Sequence, residues 1–158
     1  MTPGAEFSRG AGLQLAAESV TRDDSRSGEV LFFCDVDLVF TRDILSHIRR
    51  NTVVGRQVYY PVFFSQYDPA LVYAQRARPQ SPFSFDELDG FWRYFSYGMV
   101  ALYSSDFART PGFDLTIRGW GLEDVHLVSL VGDVFVAVGN VGHRCRVQLR
   151  CRLVLRKL

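Results

Sequence analysis

Apolar positions change their period several times along the chain. Across residues 11–20, Leu13, Leu15, Ala16, Ala17 and Val20 recur at helical spacing, predicting a short helix after an opening of turn formers. Residues 21–29 are polar, close on Ser27-Gly28 and read as a loop. Val30–Phe33 is a continuous apolar run, the pattern of a strand buried on both faces, with acidic residues at its C-terminal edge. Thr41-Arg42-Asp43 can cap a helix reaching Asn51, with Ile44, Leu45 and Ile48 on one face. Residues 57–64 alternate aromatic and β-branched side chains and read as one strand, Pro61 favouring an edge or a bulge. Residues 68–88, with Pro69, Pro79 and Pro82, read as loop. Residues 98–103 and 134–138 are further strands, Ser104–Phe107 begins a short helix, and residues 147–155 alternate in part. No internal repeat is visible. Strands and helices intermingle, which predicts an α/β or α+β sandwich.

Composition narrows this little. The 158 residues suffice for one compact domain, and 47% apolar with 22% charged residues argues against disorder or low complexity. A net charge of +1 excludes nucleic-acid binding driven by bulk charge. The distribution is uneven. Arg144, Arg146, Arg150, Arg152, Arg156 and Lys157 face only Asp133 within residues 132–158, so the rest is net acidic. Lys157 is the sole lysine. The chain divides into an N-terminal segment and loop (1–29), a core (30–131) and a basic tail (132–158). Cys34, Cys145 and Cys151 allow at most one internal disulfide and lack a C-x2-C metal spacing. The apolar run at 30–33 is far short of the roughly 20 residues that span a bilayer, and the N-terminus lacks a signal-peptide core, so the chain reads as soluble.

Two acidic motifs stand out. In an extended chain Asp35 and Asp37 of residues 31–37 (LFFCDVD) point to one face, where they repel unless a cation or proton sits between them. A divalent metal bridging to a diphosphate resolves that repulsion with oxygen ligands. The plainer alternative is a strand end whose acids cap the next helix. Residues 119–126 (GWGLEDVH) set Trp120 between Gly119 and Gly121, a tight backbone that presents a large ring. Glu123 and Asp124 follow, and one of them could take a proton from an attacking hydroxyl. The alternative is a helix with acids in its first turn. Between the motifs lie Phe91, Trp92, Tyr94, Phe95 and Tyr97, rings that pack cores or stack on sugars. His47 reads as structural; His126 and His143 offer imidazoles.

In order, residues 31–37 (LFFCDVD), 60–68 (YPVFFSQYD), 90–93 (GFWR), 97–99 (YGM), 112–114 (GFD) and 119–127 (GWGLEDVHL) resemble the catalytic domain of chondroitin sulfate synthases and chondroitin N-acetylgalactosaminyltransferases. That domain is itself similar to β-1,4-galactosyltransferases. Upstream, Phe7-Ser8-Arg9-Gly10 resembles a segment the family carries before its D-x-D strand. The resemblance implies a partial GT-A-like nucleotide-sugar transferase domain, α/β, with a mixed central sheet flanked by helices. It implies a metal-dependent inverting transfer of N-acetylgalactosamine, or of glucuronic acid, from UDP-GalNAc or UDP-GlcA to a growing chondroitin chain. By position, Asp35 and Asp37 match the D-x-D that holds Mn²⁺ against the UDP diphosphate, and Asp124 the general base. Glu123, Trp120, Trp92 and Gly121 match or neighbour positions that set the sugar and acceptor. Full-length relatives are signal-anchored type II Golgi membrane proteins with a lumenal domain, and hetero-oligomers with other chondroitin synthases are implied. Residues 128–158 do not follow the family pattern, and fewer residues precede the D-x-D than the family's first nucleotide-binding strands occupy.

Two other functions fit parts of the chain. A catalytically inactive partner that modulates an active chondroitin synthase would explain the departures at both ends. Asp35-Val36-Asp37-Leu38-Val39-Phe40-Thr41 also reads as the D-x-D-x-x-x-T of a haloacid-dehalogenase phosphatase. That chemistry wants a lysine and a distal acidic pair, and Lys157 and Asp133 serve it poorly.

Overall fold

The computed structural model describes residues 7–26, 28–78, 81, 83, 85–93, 98–119, 121–132, 136–139 and 147–150, the last two strands and residues 131–132 by their backbone alone. The elements run α1 (Arg9–Thr21), β1 (Val30–Phe33), β2 (Leu38–Phe40), α2 (Asp43–Asn51), β3 (Gln57–Tyr60), β4 (Phe63–Gln66), α3 (Pro69–Val72) and β5 (Gly90–Arg93). Then follow β6 (Val100–Tyr103), α4 (Ser104–Phe107), α5 (Glu123–Gly132), β7 (Val136–Gly139) and β8 (Val147–Arg150). The class is mixed α/β, as the intermingled periods imply. Its strands form two four-stranded sheets, β1-β6-β3-β7 and β2-β8-β4-β5. Each is mixed: β3 runs parallel to β7 and β4 parallel to β8, while the other pairings are antiparallel.

Period-two alternation gives the first sheet two apolar faces. Val58, Tyr60, Val100, Leu102 and Phe33 pack with Ala17 of α1, Phe107 of α4, Phe113 and Leu127 of α5. On the other face Tyr59, Met99 and Ala101 meet Ile44 and Ile48 of α2, and Phe63 of the second sheet. The N-terminal helix thus shares the core of the strands that follow it.

Four sequence expectations need correction. Residues 57–64 are not one strand: β3 and β4 belong to different sheets, and the chain breaks at Pro61, which has no amide hydrogen for a ladder. β3 therefore ends before its proline and lies inside its sheet, between β6 and β7. α2 starts without a side-chain cap, Arg42 standing at the N-cap in helical conformation. Leu45 is exposed while Ile44 and Ile48, one turn apart, are buried. Residues 68–88 also contain the one-turn α3, capped by Asp68, whose side chain accepts from the Ala70 amide at 2.8 Å. Among the described residues no helix is long and apolar enough to cross a membrane.

Candidate active site

The D-x-D does not continue its strand. β1 ends at Phe33, and Asp35, Val36 and Asp37 lie in the connection to β2. The extended geometry expected for the two aspartates is replaced by a turn, because β1 and β2 belong to different sheets and the chain must change direction between them. Asp35 is partly exposed and Asp37 exposed.

The second motif starts a helix, as its plainer alternative allowed. Gly119 (φ 77°) and Gly121 (φ 109°) adopt left-handed backbone, and so does Leu122 (φ 70°), a conformation costly for a side chain with a Cβ. Leu122 then accepts the amide of His126 at 2.9 Å, opening α5. Glu123 and Asp124 occupy its first turn, where the exposed amides favour carboxylates. Asp124 is half-buried and accepts from the Val125 amide at 2.8 Å.

One side chain joins the two motifs, and the sequence reading had assigned it no role. Arg9 donates from Nη2 to Asp35 Oδ1 at 2.7 Å and from Nη1 to Glu123 Oε1 at 3.0 Å. Nη2 also reaches the Gly98 carbonyl at 3.2 Å. The side chains of Arg9 and Glu123 are 12% and 2% exposed, that of Asp35 31%, so the Glu123 pair is the dry one. Burial works against the guanidinium charge, yet Asp35 and Glu123 together outweigh it and hold the Arg9 pKa above its ordinary value. Glu123 Oε2 is buried and has no hydrogen-bond partner among the described residues.

Arg9 is aimed by the segment around it. Ser8 caps α1, its Oγ accepting from Ala11 at 3.3 Å and donating to the Ile117 carbonyl at 3.1 Å. The Arg9 amide donates to Gly119 O and the Gly119 amide to Phe7 O, a parallel bridge laid against the second motif. A Cβ on Gly10 would stand 3.3 Å from Glu123 Cβ, so glycine lets α1 approach closely. The signal in the sequence was the FSRG segment itself; only its partners were hidden.

The remaining candidates scatter. Trp92 packs its ring against Phe64 and Phe85, centroids 5.4 and 5.1 Å away. His47 lies edge-on to Tyr59, and His126 is exposed on α5. Trp120, Tyr94, Phe95, Tyr97, His143, Cys145, Cys151 and Lys157 fall outside the described residues. Among those described, no group of three or more His, Cys, Asp or Glu gathers as a metal cage. The oxygens that suit a hard cation are those of Asp37 and Asp35 Oδ2, since Arg9 takes Oδ1.

A family model described as chondroitin N-acetylgalactosaminyltransferase matches residues 1–140. Mouse chondroitin sulfate synthase 3 is 47% identical over 126 residues, covering 80% of this chain and 14% of the relative. Human chondroitin sulfate N-acetylgalactosaminyltransferase 1 is 48% identical over 125 residues, covering 77% of this chain and 23% of the relative. The chain thus spans less than a quarter of either relative. No solved structure matches it. Because the family match runs unbroken from the Arg9 segment through both of the motifs that Arg9 joins, the chain belongs to the chondroitin N-acetylgalactosaminyltransferase family.

Proposed function

We propose that the chain acts as a metal-dependent inverting glycosyltransferase, moving N-acetylgalactosamine or glucuronic acid from a UDP-sugar onto a growing chondroitin chain. The observation that carries this reading is the Arg9 bridge, which brings the D-x-D and the W-G-L-E-D motif to one place. Asp35 and Asp37 would hold Mn²⁺, their oxygen donors suiting it and the diphosphate or water filling its other positions. Bound there, the ion would offset the charge of the departing diphosphate. Asp124 takes the proton of the acceptor hydroxyl as that oxygen bonds the anomeric carbon and the bond to the diphosphate breaks. Glu123, its Oε1 fixed by Arg9, braces the first turn of α5, the turn that carries Asp124. The same reading sets the domain on the lumenal side of the Golgi membrane, in company with other chondroitin synthases.

Transfer from labelled UDP-GalNAc and UDP-GlcA to chondroitin oligosaccharides tests it. Asp124→Asn lowers the rate by about 10²–10⁴-fold while UDP binding persists; an unchanged rate would sink the assignment. UDP binding by the parent chain without turnover from either donor favours the silent partner of an active synthase.

A further inference from the structure

Strand β5 has a second face that the acidic site does not use. Side chains alternate across a strand, and Trp92 turns toward Phe64 and Phe85. Phe91 and Arg93 therefore stand on the opposite face, and both are exposed. The register sets Phe91 beside Ser65 and Arg93 beside Phe63. Tyr67, just beyond β4, has its ring centroid 5.8 Å from that of Phe91. These two rings are 38% and 41% exposed, a pair of large aromatic surfaces left open to water. The Arg93 guanidinium lies 5.4 Å from the Phe91 centroid and 5.8 Å from that of buried Phe63. Among the described residues no carboxylate forms an ion pair with Arg93.

A guanidinium stacked on rings is weakly hydrated and already positioned, and its fork of donors matches a planar carboxylate. Exposed rings beside it accept the C–H faces of a sugar. We propose that Tyr67, Phe91 and Arg93 form a platform for a uronate-bearing polysaccharide, with sugar rings on the two aromatics and a uronic acid carboxylate on Arg93. The proposal rests on the reading of chondroitin as acceptor, whose glucuronic acid carries the required charge. An apolar partner would leave Arg93 unpaired, and a nucleic acid would need a wider basic field than a chain of net charge +1 supplies. The platform also adjoins the site along the chain. Beyond Arg93 the described backbone resumes at Gly98, whose carbonyl Arg9 holds.

Calorimetry on the full chain, with unsulfated chondroitin and with the same polymer after carboxyl reduction, tests the platform. Carboxyl reduction is expected to weaken binding about tenfold. Arg93→Gln should cause the same loss with native polymer and no further loss with the reduced one. Phe91→Ala should weaken both. All these positions are exposed, and circular dichroism confirms that each variant folds. Equal affinity for the two polymers, or parent-like binding by Arg93→Gln, overturns the proposal. Binding of UDP with Mn²⁺ is measured on the same samples. If it persists while chondroitin fails to bind, the platform falls and the donor reading stands. If it is missing while Arg93→Gln still abolishes the carboxylate preference, the platform stands and the donor reading falls.

Discussion

Arg9 is one cation set against two carboxylates, with Asp37 and Asp124 close by in sequence, so the site keeps surplus negative charge. Under the proposed function a divalent ion would answer that surplus; removing Arg9 worsens it. Arg9→Met is expected to cost about 3 kcal/mol in urea unfolding, because Glu123 is left buried without a cation. The double variant Arg9→Met/Glu123→Gln should recover more than half of that loss. A single-variant cost below about 1 kcal/mol, the worth of an exposed pair, would show that the bridge does not hold the motifs together. Cys34 makes a second prediction at this scale. Burial, and then the charge of Asp35, raise its thiol pKa above the ordinary range. The folded state therefore holds that proton more tightly than the unfolded chain, and this group's contribution falls as pH rises past the unfolded thiol's pKa. Alkylation of the Cys34 peptide by iodoacetamide, followed by mass spectrometry, should have its midpoint displaced upward from that of the denatured chain. An unshifted midpoint would contradict the burial of that thiol.

At the scale of elements, the joint between β4 and β5 leaves no room for a side chain at Gly90. A Cβ on Gly90 would stand 2.1 Å from the Ser65 carbonyl oxygen and 2.9 Å from Gln66 Cα, both backbone atoms that cannot swing aside. Gly90→Ala should destabilise by about 3 kcal/mol or more, as overpacked sites do, and release Trp92 from Phe64 and Phe85. Urea unfolding followed by tryptophan fluorescence measures both, and a parent-like midpoint would count against the pairing. Elements marked by a compact apolar run or a short helical stretch were legible from the sequence: α1, β1, β6 and the α2 span all appear close to where the pattern put them. The β3–β4 break was not, because residues 57–64 are apolar almost throughout and a change of sheet is a tertiary event. Exposed Leu45 went astray for a related reason: one face of α2 meets the sheet, and only the assembled core decides how wide that face is. At the site, the order of motifs carried the acidic residues. Arg9 stayed invisible because its partners lie 26 and 114 positions away.

For the molecule as a whole, two sheets and the N-terminal helix hold the D-x-D turn and the start of α5 on a common cation, and the proposed function gives the remaining oxygens of Asp35 and Asp37 to a metal. The match over residues 1–140 shows the family, and the geometry shows one arginine in contact with an acid of each motif. Titration of UDP into the chain by calorimetry, with and without Mn²⁺, tests this most directly. Binding is expected to require the ion and to be lost in Asp37→Asn, whose exposed side chain contributes little to the fold. Mn²⁺-independent binding, or no binding by a chain shown to be folded by circular dichroism, would contradict it.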